Sequence, residues 1–357
     1  MFFHESKEMK FFQHIALPFL LTASTTNFSH DLFDNVHKNI TIYNHAVQNS
    51  SLLNQSLENS PYYNFYFLLF PAIIRKRMLK YDHFQELYFD TKDHKKINAL
   101  FRLHKQAKAT IIIFCGWRPG RIERMAPLIP MFNEQEFNLL FVDVRGHGTS
   151  DHHSIWESIC SFGRYEKEDV IGALEFLKRT VDKPVILWGT CAGAFYAMQA
   201  LLQLTKQDLI KYYRIKGFIF DSGWASPKEV VLQSPYGYIE KSIPKSAQYT
   251  LKQIYLIFYN YFLRTKLLKL DPDVNLYDKI DLIKIPILYI HSKKDRMAYF
   301  DPVKKLYHRT KKKYYWWIND GSHAMHQYKY KYSYQNHMNL FCRFVINSEP
   351  VYPTHYS

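Results

Sequence analysis

Cysteine is scarce in this chain. Four thiols, Cys115, Cys160, Cys191 and Cys342, are spread over 357 residues, and no two stand at C-x-x-C spacing. That argues against a zinc ribbon and a thioredoxin-type redox pair. It also leaves little for a disulfide framework, so a reducing compartment, the cytoplasm, is the expected address. A long hydrophobic run is missing too. Tyr62 to Ile74 is apolar, but Asn64 and Pro71 interrupt it, and it is shorter than the roughly 20 residues a spanning helix needs. Further upstream, Met9-Lys10, Phe11-Phe12 and the stretch from Ile15 to Leu21 have the outline of a weak secretory signal. Gln13 and His14 break that outline, and an amphipathic N-terminal helix is the preferred reading. Peripheral contact of this region with a membrane surface is compatible with both stretches; a membrane span is not. The 17 histidines show no metal-ligand spacing, so neither a metal nor another cofactor is expected. Internal repeats are absent, and so is any recognisable nucleic-acid-binding motif. The net charge of +15 is therefore read as a lysine-rich solvated surface, not as a nucleic-acid interface.

What is present is a globular composition, with 47% hydrophobic and 22% charged residues, enough for one large core. Residues 1–80 are rich in Asn, His, Ser and Phe and read as an N-terminal helical extension, with the main domain at 81–348. There the pattern changes to short β-type runs separated by helical ones. Phe84 to Phe89 and Ile97 to Leu103 flank Asp93-His94-Lys95 as a hairpin. Thr110 to Phe114, Asn138 to Val142 and Pro184 to Trp188 are continuous apolar runs of strand length, as a sheet covered on both faces requires. Between the last two, Val170, Ala173, Leu174 and Leu177 mark one face of a helix from Glu166 to Arg179. Ile215 to Phe220 and Ile285 to Ile290 add two strands. Strand and helix alternate, which predicts an α/β fold with a mostly parallel, doubly wound sheet. Residues 224–279 interrupt the alternation. Within them Leu251, Ile254, Tyr255, Phe258, Tyr261 and Phe262 fall at helical spacing, a stripe that fits either core or a short helical lid over an apolar substrate.

The chemistry concentrates at Gly189-Thr190-Cys191-Ala192-Gly193, where a strand runs directly into a helix. The two glycines let strand and helix backbones approach closely. The turn between them forces the Cys191 side chain outward in a strained conformation. A helix N-terminus follows, and its unpaired N–H groups favour a thiolate and, later, an oxyanion.

Five further segments extend the pattern: Phe114-Cys115-Gly116-Trp117; Val142-Asp143-Val144-Arg145-Gly146-His147-Gly148-Thr149-Ser150-Asp151; Gly163-Arg164-Tyr165-Glu166 with Asp169-Val170; Ile285 to Asp295; and Asp320-Gly321-Ser322-His323. In this order they resemble the α/β-hydrolase superfamily over residues 84 to 345, and within it the lysophospholipase, monoglyceride-lipase and serine-aminopeptidase-like branch. The resemblance implies an esterase, thioesterase or lipase-like hydrolase with a triad of Cys191 as nucleophile, His323 as base and Asp295 as the acid behind it. It places the oxyanion hole at the backbone N–H groups of Ala192 and Trp117. The partner it implies is a small-molecule or lipid acyl substrate. Two positions depart from the branch: cysteine stands at the elbow where most members carry serine, and Cys115 stands where a histidine is usual.

Other readings stay open at this level. Cys191 also reads as an inert buried thiol. Asp221 competes with Asp295 as the acid, and His326 with His323 as the base. His147 reads as a brace for its own loop. Tyr328 to Tyr334 reads as the exposed start of a final helix, and Arg118, Arg121 and Arg124 as a solvated face or a site for an acidic substrate group. An acyltransferase using the same triad and a non-catalytic binding protein of the same fold are the alternative functions.

Overall fold

The structure, a computed structural model, describes residues 71–347 apart from 117–121, 134, 152–160, 162, 228, 231–245, 248, 251–252, 255–256 and 258–274. The extension before residue 71 and most of the expected lid lie outside the described residues. Of the aromatic and aliphatic stripe in the lid only Ile254 is among the described residues, and it is exposed.

Eight strands form one sheet in the order β1-β2-β4-β3-β5-β6-β7-β8. They are β1 (Gln85–Asp90), β2 (Lys96–Arg102), β3 (Ala109–Phe114), β4 (Phe137–Asp143), β5 (Val185–Thr190), β6 (Ile215–Asp221), β7 (Ile287–Ser292) and β8 (Lys313–Ile318). β2 runs antiparallel to both β1 and β4. From β4 through β8 every pair is parallel. The apolar runs are continuous because both faces are covered. On one face Ile112, Leu140, Leu187, Phe218 and Tyr289 meet helices α2 (Glu166–Thr180), α3 (Ala192–Lys206) and α4 (Phe300–Arg309). On the other, Ile111, Ile113, Phe141, Ile186, Trp188 and Leu288 meet helix α1 (Pro71–Lys80), a 3₁₀ segment at Ile122–Met131 and the C-terminal helix α6 (Lys331–Asn347), which a single turn, α5 (His326–Lys329), precedes. Each such side chain, fully withdrawn from water, contributes about 2 kcal/mol.

Helix α3 is apolar almost all round, from Ala192 to Leu204. That suits a helix pressed between the sheet and α2 rather than one facing solvent.

Helix α1 shows that not all of the positive charge read as solvated surface lies there. Ile74 and Met78 are core residues, and Arg75 turns inward with them. Its Nε donates to Glu123 at 2.7 Å, its Nη1 to Glu86 at 2.7 Å and Asn98 at 3.0 Å, and its Nη2 to Asp143 at 3.0 Å. Glu123 and Asp143 are both buried, and without the guanidinium they would face each other uncompensated. Arg75→Ala is expected to cost about 3–5 kcal/mol. Because the loss comes from carboxylates deprived of their cation, it should be larger at pH 8 than at pH 5. Urea unfolding at the two pH values measures both.

Candidate active site

The site forms at the C-terminal ends of the parallel strands. Between β5 and α3, Cys191 sits at φ 55° and ψ −121°, a backbone conformation that side chains rarely adopt. The neighbouring glycines explain how the turn closes. A Cβ at Gly189 would lie 2.4 Å from the Ala194 backbone, and one at Gly193 would lie 2.3 Å from the Phe114 carbonyl oxygen. The first turn of α3 therefore rests directly on β5 and on the end of β3. The Cys191 N–H donates to the Asp221 carbonyl at 2.8 Å, tying the elbow to the tip of β6. Gly116, just past β3, lies over the thiol: a Cβ there would come within 2.8 Å of Cys191 Cβ and 3.3 Å of its Sγ. Only a residue without a side chain leaves room beside the sulfur.

Asp295 is the third residue after β7 and is almost wholly buried. One oxygen, Oδ1, accepts from the N–H groups of Met297 and Ala298 at 2.8 and 2.9 Å. The other, Oδ2, accepts from His323 Nδ1 at 2.8 Å. Burial opposes its charge, but the His323 charge and hydrogen bond hold the carboxyl below the usual carboxylate range. His323 lies in the loop after β8, with 11% of its side chain exposed. Burial works against the imidazolium. The Asp295 charge, the Cys191 side chain and the hydrogen bonds to both nevertheless raise the imidazole pKa well above its ordinary value. With Nδ1 given to Asp295, the interaction with Cys191 falls to Nε2. Cys191, His323 and Asp295 are thus brought together from three loops. Ala192 opens α3 beside the sulfur, and Trp117 lies outside the described residues.

The competing residues fall elsewhere. His326 is fully buried, approaches Ser222 Oγ at 3.0 Å, and has its pKa pushed down to about 4 by burial. Asp221 is buried beneath the elbow, and burial raises its pKa to about 6 against the hydrogen bonds from Tyr334 and Ser222. Tyr334, read from sequence as part of an exposed segment, is fully buried because its hydroxyl serves Asp221. His147 is buried, with Nδ1 3.2 Å from the carbonyl oxygens of Val144 and Arg145. In the same loop Arg145 is clamped by Asp93 and Asp169, and Asp143 takes the Ile122 N–H at 2.9 Å. That bond fixes the chain where it returns from the segment after Gly116. Cys115 and Cys342 are buried and form no disulfide among the described residues, and burial raises both thiols. Arg124 is described and half-buried; Cys160, Arg118 and Arg121 lie outside the described residues. Among the described residues no group of His, Cys, Asp and Glu is placed to hold a metal ion, and no helix is long and apolar enough to cross a membrane.

Sequence reasoning missed His291. It is wholly buried on β7, donates from Nε2 to the Ala298 carbonyl at 2.7 Å, and sits 3.7 Å from Asp295. Its i, i+4 spacing from Asp295 was the only signal available.

Residues 105–259 match a family described as serine aminopeptidase, S33. No curated protein matches the sequence. Three solved structures are similar in fold. An esterase from Pyrococcus furiosus is 17% identical, with 74% of this chain and 93% of that one covered, at a TM-score of 0.54. An esterase from Exiguobacterium antarcticum is 14% identical, covering 72% and 100%, at 0.51. The α/β hydrolase GrgF from Penicillium sp. sh18 is 15% identical, covering 74% and 99%, at 0.53. With the strand order, the elbow between β5 and α3 and the loops after β7 and β8, these likenesses give the chain the α/β-hydrolase fold.

Proposed function

We propose that the chain is an acyl hydrolase that cleaves an ester or thioester through an acyl-Cys191 intermediate. One observation carries the reading: His323 stands between the Asp295 carboxylate, 2.8 Å from Nδ1, and the Cys191 side chain. The esterase names of two structures of the same fold and the family match across the elbow support it.

In this reading the Cys191 thiol gives its proton to His323, and the sulfur attacks the acyl carbonyl carbon. The oxyanion that forms is met by the Ala192 N–H at the helix N-terminus and by the N–H of Trp117, donors of a kind worth about 3 kcal/mol each. Collapse breaks the bond to the alcohol or thiol, which leaves with the proton from His323. Water then attacks the acyl-cysteine, with His323 taking its proton and returning it to the sulfur as the acid departs. Asp295 keeps Nδ1 protonated and stabilises the imidazolium in both halves.

The test is to mix the purified protein with p-nitrophenyl butyrate and with short acyl-CoA esters, quench early and map the adduct by mass spectrometry. The expected result is turnover with an acyl group on the peptide bearing Cys191. Neither turnover nor adduct with any of these acyl donors would overturn the reading. Adding alcohols or amines to the same assay reports whether the acyl group passes to them instead of water.

A further inference from the structure

We propose that Ser222 is a positioning residue for the site, holding the loop that carries His323 through its hydroxyl, while the carbonyl of its neighbour Asp221 holds the backbone of Cys191. The inference deepens the reading above and rests on His323 being the group that moves the proton.

At the tip of β6 the two loops share a support. The Asp221 carbonyl accepts the Cys191 N–H at 2.8 Å, and the Ser222 N–H donates to the Ile290 carbonyl on β7 at 2.9 Å. The Ser222 hydroxyl then reaches in three directions. It donates to Asp221 Oδ1 at 2.8 Å. It accepts from the N–H of Ala324, the residue directly after His323, at 3.2 Å. It also meets His326 Nε2 at 3.0 Å. A hydroxyl has one proton and two lone pairs. With the proton given to Asp221, Nε2 must donate, and all three capacities are used. His326 is then the tautomer bearing hydrogen on Nε2, in agreement with an Nδ1 that finds no partner. Gly321 faces that Nδ1 so closely that a Cβ would lie 3.0 Å away.

The backbone shows the same arrangement. Ser222 and Ala324 are both in the left-handed region, at φ 52° and 51°. Neither is glycine, so the conformation is imposed by what surrounds them. Ser222 is wholly buried, which restricts its hydroxyl to these partners. A group that only filled the core would not need to tie Ala324. This one fixes the residue next to the imidazole, and so sets where Nε2 points relative to the sulfur.

The experiment compares full-length wild type, Ser222→Ala and Ser222→Gly by NMR of nitrogen-15-labelled histidine across a pH titration. Iodoacetamide labelling of Cys191 at pH 6 and melting temperatures complete the set. Both variants remove the hydroxyl. Alanine keeps the strained φ, whereas glycine adopts it freely, so Ser222→Gly should melt closer to wild type and carries the test where Ser222→Ala does not fold. The expected result is that the His323 protonation constant falls about tenfold, one pKa unit, in both variants, with slower labelling of Cys191. A purely structural role would be overcome by glycine and would leave the imidazole where it was. A His323 protonation constant within about twofold of wild type in the folded glycine variant, a change too small to count against that one-unit expectation, overturns the proposal. If His323 responds but wild-type Cys191 labels no faster than glutathione, the acyl-cysteine reading fails and the role of Ser222 stands.

Discussion

Cys191→Ala is expected to abolish ester and thioester turnover, by about 10⁴-fold or more in kcat, while leaving the melting temperature close to that of wild type. The size follows from the covalent route. Without the sulfur no acyl-enzyme forms, and what remains is the modest acceleration that oxyanion donors and binding alone provide. Stability is spared because the truncation removes one atom from a residue that packs at the rim of the core. The companion measurement is the pH dependence of thiol alkylation in wild type. An ordinary thiol with a pKa of about 8.5 is only about 0.3% ionised at pH 6. His323, whose pKa lies well above the usual imidazole value, should be protonated there and share an ion pair with the thiolate. Labelling at pH 6 should therefore exceed that of glutathione by tens of fold, after allowance for the lower nucleophilicity of a more acidic thiol. A Cys191→Ala protein with wild-type turnover would place the chemistry elsewhere.

Asp295→Asn should be nearly as damaging, with kcat down about 10⁴-fold. Asparagine can still accept the Met297 and Ala298 N–H groups through its carbonyl oxygen. Its amide nitrogen then stands where Oδ2 was and presents hydrogen to His323 Nδ1. The ring must turn its bare nitrogen toward the amide and keep its proton on Nε2, where it can no longer take one from sulfur. The linkage signs follow from the two shifts. Asp295, with its pKa lowered, gives stability that is present above about pH 4 and is lost as pH falls through the native value. His323, with its pKa raised, gives stability that is full below about pH 6.5 and is lost as pH rises through the native value. The wild-type advantage over Asp295→Asn in urea unfolding should thus be largest between those limits. Urea titrations at pH 3, 6 and 10, alongside steady-state kinetics, measure both effects. Equal stability differences at all three pH values would show that the pair is not ionised as described.

The central sheet was legible because its chemistry is local. Thr110 to Phe114, Asn138 to Val142 and Pro184 to Trp188 are apolar on both faces, and only a covered parallel sheet needs that. The glycines at 189 and 193 announce the elbow because a Cβ at either would come within 2.3–2.4 Å of backbone atoms. β8 was not legible. Its Lys-Tyr-Tyr-Trp-Trp-Ile is half-buried at five of six positions, so it shows neither alternation nor a continuous apolar run. The inward turn of Arg75 was not legible either: its neighbours Lys76 and Arg77 carry the same charge, while its partners Glu86, Glu123 and Asp143 stand 11, 48 and 68 residues along the chain. Ser222 carries no motif at all. Its meaning depends on Ala324 and His326, about a hundred residues away, and only the folded loops bring them to it.

Cys191, Ser222 and Ala324 all hold a backbone shape that favours glycine, at a cost of about 1–2 kcal/mol each relative to relaxed residues. Natural selection for a sturdier molecule alone would drift each of them toward glycine. In related chains, then, a glycine at position 191 or 222 would be the mark of a scaffold released from its chemistry, whereas Ala324, which contributes its N–H, could become glycine without that loss. Retention of the thiol and the hydroxyl would record that turnover, rather than durability, is what lineage after lineage has kept.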